Sequence, residues 1–220
     1  MDPVFIATSS SGKLRDFAAA AGDLEVQPLP GFDSLPAAVE DGATFEENAR
    51  KKAEHYRRLA PGKLVLADDS GLEVDALAGA PGVRSARYAA DESPASALPA
   101  GTTAGTTAGT TNDQANNARL LRELRDLPEG ARVARFVCVI AAARDGGTLA
   151  VFRGEAAGVI ARAPRGAGGF GYDPLFYFPQ LDKTFAELAP KEKAAVSHRG
   201  AAFRKFLDWY RADGAEGRLG

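Results

Sequence analysis

Val4 to Thr8 is a short apolar, β-branched run, and Ser9-Ser10-Ser11-Gly12-Lys13 separates it from Leu14, Phe17, Ala18 and Ala21 at helical spacing. The pattern predicts a strand, a polar loop and a helix that stops at Gly22. Leu24 to Pro28 reads as a second strand, and residues 30–42 read as loop. Thr44-Phe45-Glu46-Glu47 has the form of a capping box, with Thr44 as the cap and Glu47 reaching back. Phe45, Ala49, Ala53, Tyr56 and Ala60 then share one helical face as far as Pro61-Gly62. Leu64 to Ala67 is a buried-type strand that enters Asp68-Asp69-Ser70-Gly71. A helix is predicted from Asn112 to Leu127, with Leu120, Leu121, Leu124 and Leu127 as its stripe. Val133 to Ala142 is the longest strand candidate, and Leu149 to Phe152, Gly158 to Ala161 and Leu175 to Phe178 are shorter ones. A short helix covers Thr184 to Leu188. Ser197 caps a last helix that buries Ala202, Phe203, Phe206, Leu207 and Tyr210, and the tail after Ala212 is expected to fray.

Interleaved strands and helices give the α/β class. No linker divides the core, so residues 1–220 are expected to form one domain. An insertion at about 95–111 interrupts it, where Ala-Gly-Thr-Thr occurs three times between Ala100 and Thr111. Small and polar residues at a period of four cannot bury a core, so the segment is expected to be a flexible surface insertion.

Composition excludes several classes. The 27 basic and 29 acidic residues leave a net charge of −2, which gives no electrostatic case for a nucleic-acid or membrane-surface binder. One cysteine, Cys138, excludes an intramolecular disulfide, and two histidines, His55 and His198, leave little for a His-rich metal centre. No apolar run is long enough to span a membrane, and the N-terminus lacks the form of a signal peptide. A cytoplasmic location is therefore expected. Cys138 is expected in the core and His55 on the surface.

Four segments carry candidate chemistry. Thr8-Ser9-Ser10-Ser11-Gly12-Lys13 brings hydroxyls, backbone N–H groups and a lysine to a helix N-terminus, which suits an anion as well as it suits a plain helix cap. It is not a P-loop, because Ala7 stands at the first glycine position and Leu14 follows Lys13. Ala67-Asp68-Asp69-Ser70-Gly71 ends an apolar strand in two carboxylates that face opposite ways; one can hold Mg²⁺ or deprotonate water while the other braces a turn. Gly166 to Pro174 combines a glycine-rich backbone with Phe170, Tyr172 and Asp173, able to approach, stack on and hydrogen-bond a flat base, or to form a bulged hairpin. Lys191 to Gly200 places Ser197, His198 and Arg199 at a helix start, where cations are disfavoured unless an anion or polar ligand arrives; the alternative is a solvated basic turn. A Ser–His–Asp triad lacks any nucleophile elbow.

Taken in order, Thr8 to Lys13, Thr44 to Ala49, Ala67 to Leu72, Gly79 to Tyr88, Gly168 to Pro174 and Ser197 to Gly200 closely resemble the motifs of the inosine triphosphate pyrophosphatase family, whose bacterial members are called dITP/XTP pyrophosphatases. The resemblance runs from Phe5 to Trp209, omitting the Thr-rich insertion. It implies an elongated α/β fold of mixed sheet and flanking helices, with a substrate cleft between two lobes. It also implies a homodimer and Mg²⁺-dependent hydrolysis of ITP, dITP and XTP to the monophosphate and pyrophosphate. Carried over residue by residue, Thr8, Ser9, Ser10, Ser11, Gly12 and Lys13 would hold phosphates, and Asp69 would be catalytic and metal-linked, with Glu40 a second metal residue. Ser70 would touch substrate. Phe170, Gly171, Tyr172 and Asp173 would form the base pocket. Lys193 would add positive charge, and His198 and Arg199 would read the 6-oxo edge. Ser10 departs from the family, which usually has Asn there. Two other readings remain: a purine-nucleotide sensing module without turnover, and a pyrophosphatase for modified pyrimidine nucleotides.

Overall fold

The computed structural model describes residues 3–92 and 106–215. The chain divides into two compact units, the first of Met1–Asp69, Cys138–Glu155 and Pro190–Gly220, the second of Ser70–Val137 and Ala156–Ala189. The strands are β1 (Val4–Ile6), β2 (Val26–Pro28), β3 (Val65–Val74), β4 (Val133–Arg144), β5 (Gly147–Ile160), β6 (Phe176–Phe178) and β7 (Lys183–Thr184). The helices are α1 (Ser11–Ala20), α2 (Phe45–Leu59), α3 (Thr106–Glu123), α4 (Pro190–Val196) and α5 (His198–Ala215). Sheet order is β2-β1-β3-β4-β5-β6-β7. β1 runs parallel to β2 and β3, while β6 is antiparallel to β5 and β7, so the sheet is mixed.

In the first unit, alternate residues of the strands face one core: Val4 and Ile6, Leu64 and Leu66, Cys138, Ile140 and Ala142. Phe17 of α1 and Phe203, Phe206, Leu207 and Tyr210 of α5 close it. Each large apolar side chain so buried contributes about 1.5–3 kcal/mol. Cys138 is in this core, as expected, and burial pushes its thiol pKa up. His55 is only half-buried, and its Nε2 lies 2.7 Å from the Pro36 carbonyl. In the second unit, the Phe136, Phe176 and Phe185 rings meet at 4.5–5.8 Å. The buried Arg132 guanidinium donates to the carbonyls of Leu124, Ile160 and Ala161, tying α3 and β4 to the end of β5.

Three expectations are corrected. The Asp68-Asp69 pair lies inside β3 rather than at its end, two residues beyond Leu66, the last residue paired with β1. The two strands expected between Leu149 and Ala161 are one, β5. Its middle alternates buried small residues (Gly154, Ala156, Gly158) with exposed Arg153, Glu155 and Ala157, a pattern without the bulk that marks a strand. Gly154 has to be small, because a Cβ there would come within 2.2 Å of the His198 carbonyl oxygen. Finally, α3 starts at Thr106, not Asn112. Asn112-Asp113 resembles a cap, yet the Asp113 carboxylate accepts from the Gly171 N–H instead of from its own helix. The rest of the expected insertion, residues 95–105, lies outside the described residues. No described helix is long and apolar enough to cross a membrane.

Candidate active site

The phosphate-loop segment forms the start of α1. Ser10 is its cap, with the Lys13 N–H donating to Oγ at 3.3 Å, and the Ser10 N–H donates to the Thr8 hydroxyl oxygen at 3.1 Å. Both hydroxyls keep a proton to donate. Ser9 and Ser11 are exposed, and Gly12 is buried in the first turn. Capping points Lys13 along α1 toward β3, where Nζ lies 2.9 Å from Asp68 Oδ2.

The two neighbouring aspartates have opposite fates because successive strand residues point to opposite faces. Asp68 is 1% exposed. Burial alone would raise its carboxyl; Lys13, Arg199 and Lys52 overcome that and hold its pKa at about 2. Asp69 accepts from the Asn48 amide at 3.0 Å. For it burial outweighs Lys52, Lys13 and the Asn48 hydrogen bond, and the nearby Glu40 charge adds to the effect, so its pKa is raised. One carboxylate is thus a fixed anion and the other a base of increased proton affinity in the same unit.

Helices α4 and α5 bring the other cations. Lys193 and Arg199 both point at Asp16 of α1, at 3.3 and 3.1 Å, and Arg199 also approaches Asp68 at 3.9 Å. His198 is buried; burial first, then Arg199, Lys193 and Lys13, lower its pKa well below 6.5, so the ring is neutral at neutral pH. Ser197 caps α5, its Oγ accepting from the Gly200 N–H. Glu40 holds Lys52 at 3.1 Å. Burial pulls the Lys52 ammonium down, but Glu40, Asp68 and Asp69 together raise its pKa, so it stays charged. Lys13, Asp69, Glu40, Lys193, His198 and Arg199 therefore fall in one unit. Ser70 follows Asp69 on β3 and is the first residue of the second unit.

In the second unit, the Gly166 to Asp173 loop is exposed up to Gly169, and Phe170 is half-buried. Gly169 has φ +72°, and a Cβ there would overlap the Asp173 carboxylate, which accepts from the Phe170 N–H at 2.9 Å. Tyr172 is buried and donates to the Ser85 carbonyl at 2.8 Å. Burial, with Tyr88 and Asp113 nearby, pushes its phenol pKa up, so it remains a neutral donor.

Sequence reasoning assigned no role to Asp16, Asn48 or Lys52. The signals were there: Asp16 lies one turn from Lys13, Asn48 and Lys52 are four apart on α2, and Asn48 stands in a motif quoted above. Among the described residues no group of three or more His, Cys, Asp or Glu is placed to hold a metal.

The Ham1 family profile matches residues 4–209. This chain belongs to the Ham1 family. Its Ham1 relatives include the dITP/XTP pyrophosphatase of Acidobacterium capsulatum, 50% identical over 93% of this chain and 96% of that protein. That of Geobacillus kaustophilus is 46% identical over 99% of both chains. Among solved structures, the Staphylococcus aureus Ham1 protein aligns over 96% of this chain and 100% of its own, with 38% identity and TM-score 0.75. A HAM1 protein from Coxiella burnetii gives 0.76 at the same identity and coverage. The mixed α/β fold is thus the Ham1 fold.

Proposed function

We propose that this protein hydrolyses deaminated purine nucleoside triphosphates (ITP, dITP and XTP) to the monophosphate and pyrophosphate. The observation that carries the reading is the pair Asp68–Asp69, one held ionised by Lys13 and Arg199 and its neighbour raised in pKa beside Asn48 and Lys52. The relatives' name, dITP/XTP pyrophosphatase, supports the substrate class.

In the first unit, Thr8 to Lys13 and Lys193 bind the phosphates. Each cation is positioned by a carboxylate partner, so binding needs little reorganisation. Asp69 is the general base for the attacking water, positioned by the Asn48 amide at 3.0 Å. His198 and Arg199 donate to the 6-oxo group, and a 6-amino group in that place would set donor against donor. In the second unit, Phe170, Gly171, Tyr172 and Asp173 take the base, and Ser70 contacts substrate.

Mg²⁺ is the proposed cofactor, held by Asp69 and Glu40. The charges fit a cation: burial chiefly, and the Glu40 charge in addition, raise the Asp69 pKa, and a divalent cation relieves both effects. Mg²⁺ commonly uses one or two carboxylates together with substrate phosphates and water, so a larger protein cage is not needed. When bound it would neutralise developing charge on the phosphoryl oxygens. A homodimer and a cytoplasmic location complete the reading, the first checked by light scattering.

The test is pyrophosphate release from a panel of ITP, dITP, XTP, ATP, dGTP, dUTP and methylated dTTP with Mg²⁺. Turnover confined to the deaminated purines is expected. No release from any of them, or preference for the pyrimidines, overturns the assignment.

A further inference from the structure

The loop that carries Phe170 has glycine at 166, 168, 169 and 171, so its own backbone supplies little rigidity. Its order comes from elsewhere. The Gly171 N–H donates to the Asp113 carboxylate at 2.7 Å, and the Gly171 carbonyl accepts from the Asn117 amide at 3.0 Å. Asp113 and Asn117 are four residues apart on α3, hence on one face of that helix. The two side chains therefore grip both polar groups of a single loop residue, the one after Phe170. Asn116, between them, donates to the Ser85 carbonyl that also accepts from Tyr172. On the other side, Asp173 accepts from the Phe170 N–H. Phe170 is thus fixed from both flanks.

We propose that Asp113 and Asn117 are positioning residues that hold the Phe170–Gly171 segment in place and thereby set discrimination between 6-oxo and 6-amino purines. The inference rests on the base-binding reading of that loop. Neither residue is required to touch substrate; both act through Gly171. Stacking on an aromatic tolerates any base, whereas choosing between an oxo and an amino group needs the base held in a fixed place. A loosened loop therefore loses selectivity before it loses chemistry.

The experiment measures kcat and KM for ITP and ATP in the full chain with Mg²⁺. Asp113→Ala and Asn117→Ala are each expected to raise KM for ITP about tenfold with kcat within about twofold, and to lower the ITP/ATP ratio of kcat/KM about tenfold. Asp113→Asn keeps an oxygen that accepts from the Gly171 N–H, and is expected to restore the ratio to near the wild-type value. A residue needed only for folding would lower the melting temperature and leave the ratio unchanged. Folded Ala variants with an unchanged ratio, or an Asp113→Asn variant as impaired as Asp113→Ala, overturn the clamp. Should Asp113→Ala not fold, Asn117→Ala decides the matter alone. A wild type that turns over no ITP defeats the functional reading itself; a discriminating wild type with unaltered variants defeats only the clamp.

Discussion

At the scale of single residues, the first unit is governed by which charges face which. Lys13 Nζ lies 2.9 Å from the buried Asp68 carboxylate. Lys13→Met leaves that carboxylate with Arg199 and Lys52 alone and is expected to cost about 1–3 kcal/mol in a denaturant titration, because a buried charge loses a close partner. Adding Asp68→Asn removes the under-compensated buried charge and is expected to recover part of the loss. Asp69 is the converse case. Its raised pKa means that the folded state disfavours its charge at neutral pH. Asp69→Asn is expected to reduce turnover by roughly a hundredfold or more while the melting temperature of the metal-free protein stays level or rises; a clear fall would show that the ionised form stabilises the fold.

Two groups predict the pH profile of stability in metal-free protein. The His198 ring is neutral when folded, with a pKa well below 6.5. The unfolded chain takes up a proton near 6.5 that the folded chain refuses, so stability falls as pH drops below that value. Asp68 titrates near 3.8 unfolded and about 2 folded. Its contribution, about 2 kcal/mol, is complete above the unfolded value and is lost as pH falls from there towards 2. Denaturant midpoints taken from pH 7 to pH 2 are expected to show the first decline before the second, and His198→Gln should remove the first.

At the scale of elements, α2 carries Asn48 and Lys52, and its start is set by local sequence. The Glu47 N–H donates to the Thr44 hydroxyl at 3.1 Å, while the Glu47 carboxylate reaches back to the Ala43 N–H at 2.7 Å, one residue further than a simple capping box. Thr44→Ala is expected to cost about 1 kcal/mol, read from denaturant midpoints, with KM for ITP affected more than for a surface substitution because both site residues ride on this helix. For α1 the sequence left a cap and an anion site as equal alternatives, while the caps of α2 and α5 were legible because they are local in sequence. The start of α3 was not, because Asp113 spends its carboxylate on a residue 58 positions away. The pattern predicts two strands where β5 is one for a related reason: Gly154 and Gly158 leave room for neighbours that only the fold supplies.

At the scale of the whole molecule, the chain passes between its two units four times: inside β3, β4 and β5, at 69/70, 137/138 and 155/156, and at 189/190, just before α4. No Pro/Gly-rich linker marks the three crossings inside strands, and a single proline, Pro190, marks the fourth, which is why the sequence reads as continuous. A strand shared by two units cannot melt in one and persist intact in the other. A single thermal transition is therefore expected, with Trp209 fluorescence, a reporter from the first unit and the chain's one tryptophan, coinciding with far-UV circular dichroism. Separate midpoints would show that the units unfold independently.

The order of apolar and polar residues by itself determined the α/β class, most helices and strands and two helix caps, because propensity, capping and periodicity act over a few residues; the six motifs were legible by their resemblance to a known family. The positions of Lys13, Asp69, Phe170 and Arg199 as candidate site residues were legible in the same way. What each does was decided by the fold. Asp16 meets Lys193 and Arg199 across 177 and 183 residues of sequence. Asp68 and Asp69, chemically identical and adjacent, acquire pKa values moved in opposite directions. Burial and the charge of distant neighbours set those values, and both come into being only when the chain closes on itself.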